Sequence, residues 1–104
     1  MRGNDFEIER ENFDGGVRFI LEGRINSLNY TVLEDKLNET LHERHRNIIL
    51  NMLRVDHLSS AGIKVILKAY KDAQKLGGRL GIEGPSENVR NVLGMTALDT
   101  LLIK

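Results

Sequence analysis

Three consecutive apolar residues, Ile48, Ile49 and Leu50, stand between Asn47 and Asn51, and this short run constrains the fold more than any other feature. It is too short for a buried helix. An unbroken apolar run of this length predicts a central strand covered on both faces.

Helical patterns stand on either side of it. Tyr30, Leu33, Leu37 and Leu41 recur at helical spacing with charges between them, which predicts a first helix over about Asn29 to His45, capped by Asn29 or by a Thr31/Glu34 box. After the central run, Ile63, Ile66, Leu67, Tyr70 and Ala73 stripe one face of a second helix, Ala61 to Leu76. Lys64, Lys68, Lys71 and Lys75 fall outside the stripe, and Gly77-Gly78 supplies the stop.

The ends of the chain complete the layer. Phe6 to Arg10 alternates apolar and charged residues, Asp14-Gly15-Gly16 marks a turn and Val17 to Leu21 is β-rich, so an opening hairpin is expected. Arg79 to Glu83 reads as a strand. Pro85-Ser86 opens a short helix carrying Val89, Val92 and Leu93, stopped by Gly94, and Leu101 to Ile103 reads as a last strand. The order is strand, strand, helix, strand, helix, strand, helix, strand. That is an α/β sandwich with a mixed β-sheet and helices mainly on one side. A length of 104 residues leaves no room for a second core, so residues 1–104 are expected to form one domain.

Composition narrows function chiefly by exclusion. Fifteen Lys and Arg balance fifteen Asp and Glu, so no net field favours nucleic acid or an anionic membrane. The one basic cluster, Arg44, His45 and Arg46, reads as a solvated helix end. The absence of cysteine removes disulfides, thiolate metal sites and cysteine nucleophiles. No apolar run approaches the roughly 20 residues of a membrane helix, and the polar start, Met1 to Glu11, has no signal-like segment. A cytoplasmic protein without membrane insertion is expected.

Enzyme chemistry finds little support. The glycines at 77, 78, 81 and 84 make neither GxxxxGK[ST] nor GxGxxG, so they read as turns and caps, with no nucleotide cofactor implied. His42 and His45 are three apart but lack an HExxH partner set, so no metal is expected. Asp56, His57, Ser59 and Ser60 superficially resemble a Ser/His/Asp set, yet sequence neighbours do not generally reach triad geometry.

Ser60 has a different logic. Backbone N–H groups at a helix start are unpaired and carry partial positive charge, so a serine there caps the helix or carries a phosphate in a favourable field. A phosphate adds roughly −1.5 to −2 charges, enough to repel an acidic partner surface without refolding the domain. Position alone makes a cap the commoner role.

The segment Asp56-His57-Leu58-Ser59-Ser60-Ala61-Gly62-Ile63-Lys64-Val65-Ile66-Leu67 resembles the D-S-[ST]-G-[LI]-x-x-[LI] loop and helix of STAS domains, specifically the bacterial anti-sigma factor antagonists. Leu21-Glu22-Gly23-Arg24-Ile25-Asn26 is similar to the family's L-x-G-x-[LI]-[DN] element. Gly77-Gly78-Arg79-Leu80, Val89, Val92, Leu93 and Thr96-Ala97-Leu98 resemble its second half.

The resemblance implies a non-enzymatic switch. The unphosphorylated protein binds an anti-sigma factor serine kinase, phosphorylation ends the binding, and a serine phosphatase reverses it. Aligned on Gly62, the phosphoacceptor falls on Ser60, with Ser59 as the alternative, and the partner-binding surface on Asn26, Ser59, Ser60, Ala61 and Gly62. Two positions depart from the pattern: Ser59 replaces the usual acid before the acceptor, and Ala61 stands between acceptor and glycine. A second implied role is a standalone STAS subunit that binds a transporter ATPase without phosphorylation.

Overall fold

The protein is described by a computed structural model covering residues 6–43, 45, 47–96 and 98–103. Four strands, β1 (Phe6–Phe13), β2 (Gly16–Ile25), β3 (Asn47–Leu58) and β4 (Arg79–Glu83), form one sheet in the order β1-β2-β3-β4. The hairpin pair β1/β2 is antiparallel; β2/β3 and β3/β4 are parallel. Helices α1 (Tyr30–His42), α2 (Ser60–Lys75) and α3 (Glu87–Met95) connect and follow the parallel strands, as crossover connections require.

One face of the sheet carries the core. Val17, Phe19 and Leu21 of β2, Ile48, Leu50 and Met52 of β3, and Leu80 and Ile82 of β4 are buried in a single cluster. Leu33 and Leu37 of α1, Ile66, Ala69 and Ala73 of α2, and Val89 and Leu93 of α3 complete it. The other face is different. Arg18, Ile20, Ile49 and Asn51 are only half-buried there, so the central strand is not covered equally on both sides as its apolar run predicts. A polar ladder crosses this face: Arg18 Nε donates to Glu83 Oε2 at 2.8 Å, Asn51 Nδ2 donates to the same oxygen at 2.9 Å, and Arg18 Nη1 lies 3.6 Å from Glu11 Oε1. Four strands contribute one residue each.

β3 is longer than the apolar run suggests, and its register explains why. Asn51 pairs with Ile20 but Arg54 with Glu22, and Val55 pairs with Gly23 but His57 with Arg24. Each shift places one extra residue on β3, and together they change its burial spacing from two to three, through Met52, Val55 and Leu58. Gly23 sits at the second shift with φ +108°, a conformation costly for any side chain.

The boundaries of the helices follow local chemistry. At the end of α2, Gly77 has φ +80°; its N–H donates to the Gln74 carbonyl at 3.0 Å and the Gly78 N–H to the Ala73 carbonyl at 2.8 Å, a Schellman stop. Ser86 caps α3, accepting from the Val89 N–H at 3.3 Å while its hydroxyl donates to the Val55 carbonyl at 2.6 Å. α1 ends at His42 rather than His45. The expected last strand is instead a 3₁₀ turn, Leu98–Leu101, followed by a single parallel bridge between Leu102 and Ile82. In the basic cluster only His45 lies among the described residues, half-buried and 3.7 Å from Glu43; Arg44, Arg46, Ala97 and the start of the chain through Asp5 lie outside them.

Candidate functional site

The expected acceptor lies where β3 delivers the chain to α2. The Ser59 N–H donates to the Ile25 carbonyl at 2.9 Å, which ties the start of α2 to the end of β2. Ser59, not Ser60, is the cap: its backbone is extended and its Oγ accepts from the Gly62 N–H at 3.3 Å. Ser60 is therefore the first helical residue, one position earlier than the sequence pattern predicts. Its side chain is exposed, and among the described residues no hydrogen bond engages its hydroxyl.

Gly62 makes this geometry feasible. A Cβ there would lie 2.7 Å from Ile25 Cγ2 and 2.8 Å from Leu58 Cδ1. The first turn of α2 thus rests directly on the ends of β2 and β3, and the missing side chain holds Ser60 at this height above the sheet. Ala61, beside it, is half-buried.

Asn26 stands next to this junction, after Ile25, but its side chain works within its own loop. Its Oδ1 accepts from the N–H groups of Leu28 at 2.9 Å and Asn29 at 3.2 Å. Asn29 returns the bond, its Oδ1 accepting from the Asn26 N–H at 2.9 Å, and its Nδ2 donates to the Arg24 carbonyl at 2.8 Å. Neither predicted cap of α1 forms: Asn29 occupies the cap position without a side-chain cap bond, and no Thr31/Glu34 box replaces it. The two asparagines instead lock the β2–α1 loop as a closed turn.

A shallow groove of about 330 Å³ opens beside Ser60. Tyr30 and Glu34 of α1 line one wall, and Ser60, Ala61, Lys64 and Lys68 of α2 the other. The sequence showed both lysines outside the apolar stripe; only the packing of α1 on α2 brings them into one hollow with the serine. Lys68 is engaged, its Nζ donating to Asp72 Oδ2 at 2.8 Å. That bond and the charge of Asp72, with a smaller contribution from Glu34, hold the Lys68 ammonium above its usual range.

Among the described residues, no catalytic constellation accompanies the serine. His57 and Asp56 are exposed on β3, and among the described residues no hydrogen bond joins either side chain to Ser59 or Ser60. No group of three potential metal ligands gathers among the described residues, and no described helix is long and apolar enough to cross a membrane.

The sequence pattern of the STAS domain matches residues 7–103, a stretch that reaches every strand and helix just described. The chain belongs to the STAS domain family. Among its relatives, a Bordetella bronchiseptica protein named as a candidate anti-sigma factor antagonist, BtrV, is 30% identical over 86 residues, covering 83% of this chain and 74% of that protein. The STAS fold also superposes on the anti-sigma factor antagonist SpoIIAA in its unphosphorylated form, with a TM-score of 0.84 at 20% identity over 93% of this chain and 86% of that one. The phosphorylated form of SpoIIAA, a Bacillus cell fate determinant, gives 0.77 at 19% identity, over 93% and 89% of the two chains. At these identities the structural likeness is one of fold, and it agrees with the mixed sheet and one-sided helices expected from the sequence.

Proposed function

We propose that this STAS domain is a cytoplasmic anti-sigma factor antagonist that acts by partner switching. Its unphosphorylated form binds an anti-sigma factor serine kinase, phosphorylation of Ser60 ends the binding, and a serine phosphatase restores it. The observation that carries this reading is the division of work between adjacent serines. Ser59 Oγ is committed to the Gly62 N–H, while Ser60 is exposed at the first position of a long helix, where a phosphate meets unpaired N–H groups and the positive end of the helix dipole. The same contrast favours Ser60 over Ser59 as acceptor. Asn26 serves this surface indirectly, by fixing the loop beside it, and Ala61 and Gly62 lie on the turn that the partner meets.

The test is a phosphorylation assay with the cognate anti-sigma kinase and ATP. One phosphate is added to the wild type and to Ser59→Ala, and none to Ser60→Ala. Modification at Ser59 would reassign the acceptor. A chain that stays unmodified yet co-purifies with a transporter ATPase would replace the switch by the second role.

A further inference from the structure

We propose that Lys64 is the intramolecular counter-ion of a phosphate on Ser60, held across one helical turn in the groove between α1 and α2. The inference rests on the reading of Ser60 as acceptor and adds a residue to it.

Four observations support it. Ser60 and Lys64 are four apart on α2, so their side chains are neighbours on one face, and both line the groove. Both are exposed and free to approach each other through solvent. The other lysine of the groove, Lys68, is held by Asp72 at 2.8 Å, whereas Lys64 makes no ion pair among the described residues. Finally, the cap is the neutral Ser59 and the first turn of α2 carries no acidic side chain, so nothing on α2 itself competes with the phosphate for the Lys64 ammonium. Tyr30 and Glu34 face the pair from α1. Of these, Glu34 opposes the dianion, and Lys64 is the cation placed to outweigh it.

The consequence is a second action of a single modification. The phosphate places negative charge on the surface and also withdraws a lysine from it. Two charges about 6 Å apart in a water-like medium shift a titration by roughly half a pKa unit. The second ionisation of phosphoserine, about 6 in isolation, is the direct reporter.

Phosphoserine is installed at position 60 during translation, so that no kinase is needed, and its phosphorus resonance is followed against pH at low ionic strength. Lys64→Met raises the phosphate pKa by about half a unit, Lys64→Arg leaves it at the wild-type value, and Glu34→Gln lowers it. A Lys64→Met protein that titrates with the wild type overturns the proposal. If the kinase assay fails instead, the switch reading falls while this measurement still decides the role of Lys64.

Discussion

Gly62 offers the sharpest test of how the start of α2 is held. Alanine is intrinsically better than glycine inside a helix by about 1 kcal/mol, so Gly62→Ala, judged on propensity alone, stabilises the protein. The structure reverses that sign. The new methyl would lie 2.7 Å from Ile25 Cγ2 and 2.8 Å from Leu58 Cδ1. Leu58 can yield by turning its side chain. Ile25 cannot yield so easily, because the atom in contact is the β-branch of a fully buried residue, directly bonded to a Cβ that itself lies 3.5 Å away. Overpacking of this kind costs about 1–3 kcal/mol, and the propensity gain offsets about 1 kcal/mol of it, leaving a net loss near 1 kcal/mol.

Gly94 in α3 is the internal control. It lies inside α3, which runs on to Met95 rather than stopping at Gly94 as the sequence pattern predicts, and a Cβ there meets nothing within 4 Å, so Gly94→Ala takes the propensity gain without the clash. The two variants therefore differ by about 2 kcal/mol in opposite directions from wild type. At about 4–8 °C per kcal/mol for a domain near this size, their melting temperatures lie roughly 8–16 °C apart. Thermal unfolding followed by circular dichroism, with urea titrations to compare m-values, measures the gap. Equal upward shifts of both variants would refute the close approach of α2 to the ends of β2 and β3.

Two further substitutions address the same end of the fold. Ser59→Ala removes the cap of α2 and lowers stability by about 0.5–2 kcal/mol in urea denaturation, while phosphate incorporation at Ser60 persists; loss of incorporation with stability unchanged would contradict the division of work between the serines. Asn26→Ala removes the side-chain acceptor of the Leu28 N–H, while the Asn29 N–H keeps the Asn26 carbonyl at 3.3 Å; the loss costs about 0.5–1.5 kcal/mol, and hydrogen exchange accelerates at Leu28. Unchanged protection at Leu28 would mean that the asparagine turn does not hold the loop.

Much of this architecture was legible because local patterns and tertiary burial agree. The stripe from Ile63 to Ala73 and the Gly77-Gly78 stop define α2 in sequence and in structure, since an apolar helical face and a left-handed terminator are both local properties. β3 was legible only at its start. Beyond Asn51 its buried residues fall every third position, because extra residues on β3 shift the pairing with β2, and a period of three matches neither a strand nor a helix pattern. The asparagine turn was hidden for another reason. Either Asn26 or Asn29 alone reads as a cap or a turn residue, and only their reciprocal bonds show that each is satisfied by the other. The groove beside Ser60 required the packing of α1 on α2, which no local signal encodes.

The irregular end of β3 also explains why the site sits where it does. A regular strand running past Asn51 would turn Arg54 and Asp56 with Leu58 onto the core face and would carry Leu58 past the end of β2; the two shifts instead bury Val55 and leave Arg54 and Asp56 exposed. With two extra residues on β3, Leu58 pairs with Ile25, and both side chains are buried beneath Gly62. The hydrogen bond from the Ser59 N–H to the Ile25 carbonyl then fixes the cap, and the cap leaves the next hydroxyl, that of Ser60, facing solvent. Exposure of Ser60 is thus built from beneath: register sets Leu58, Leu58 and Ile25 seat Gly62, and the bond from Gly62 occupies Ser59. A substitution that straightens this strand end, such as one adding a side chain at Gly23 where φ is +108°, perturbs the acceptor without touching it.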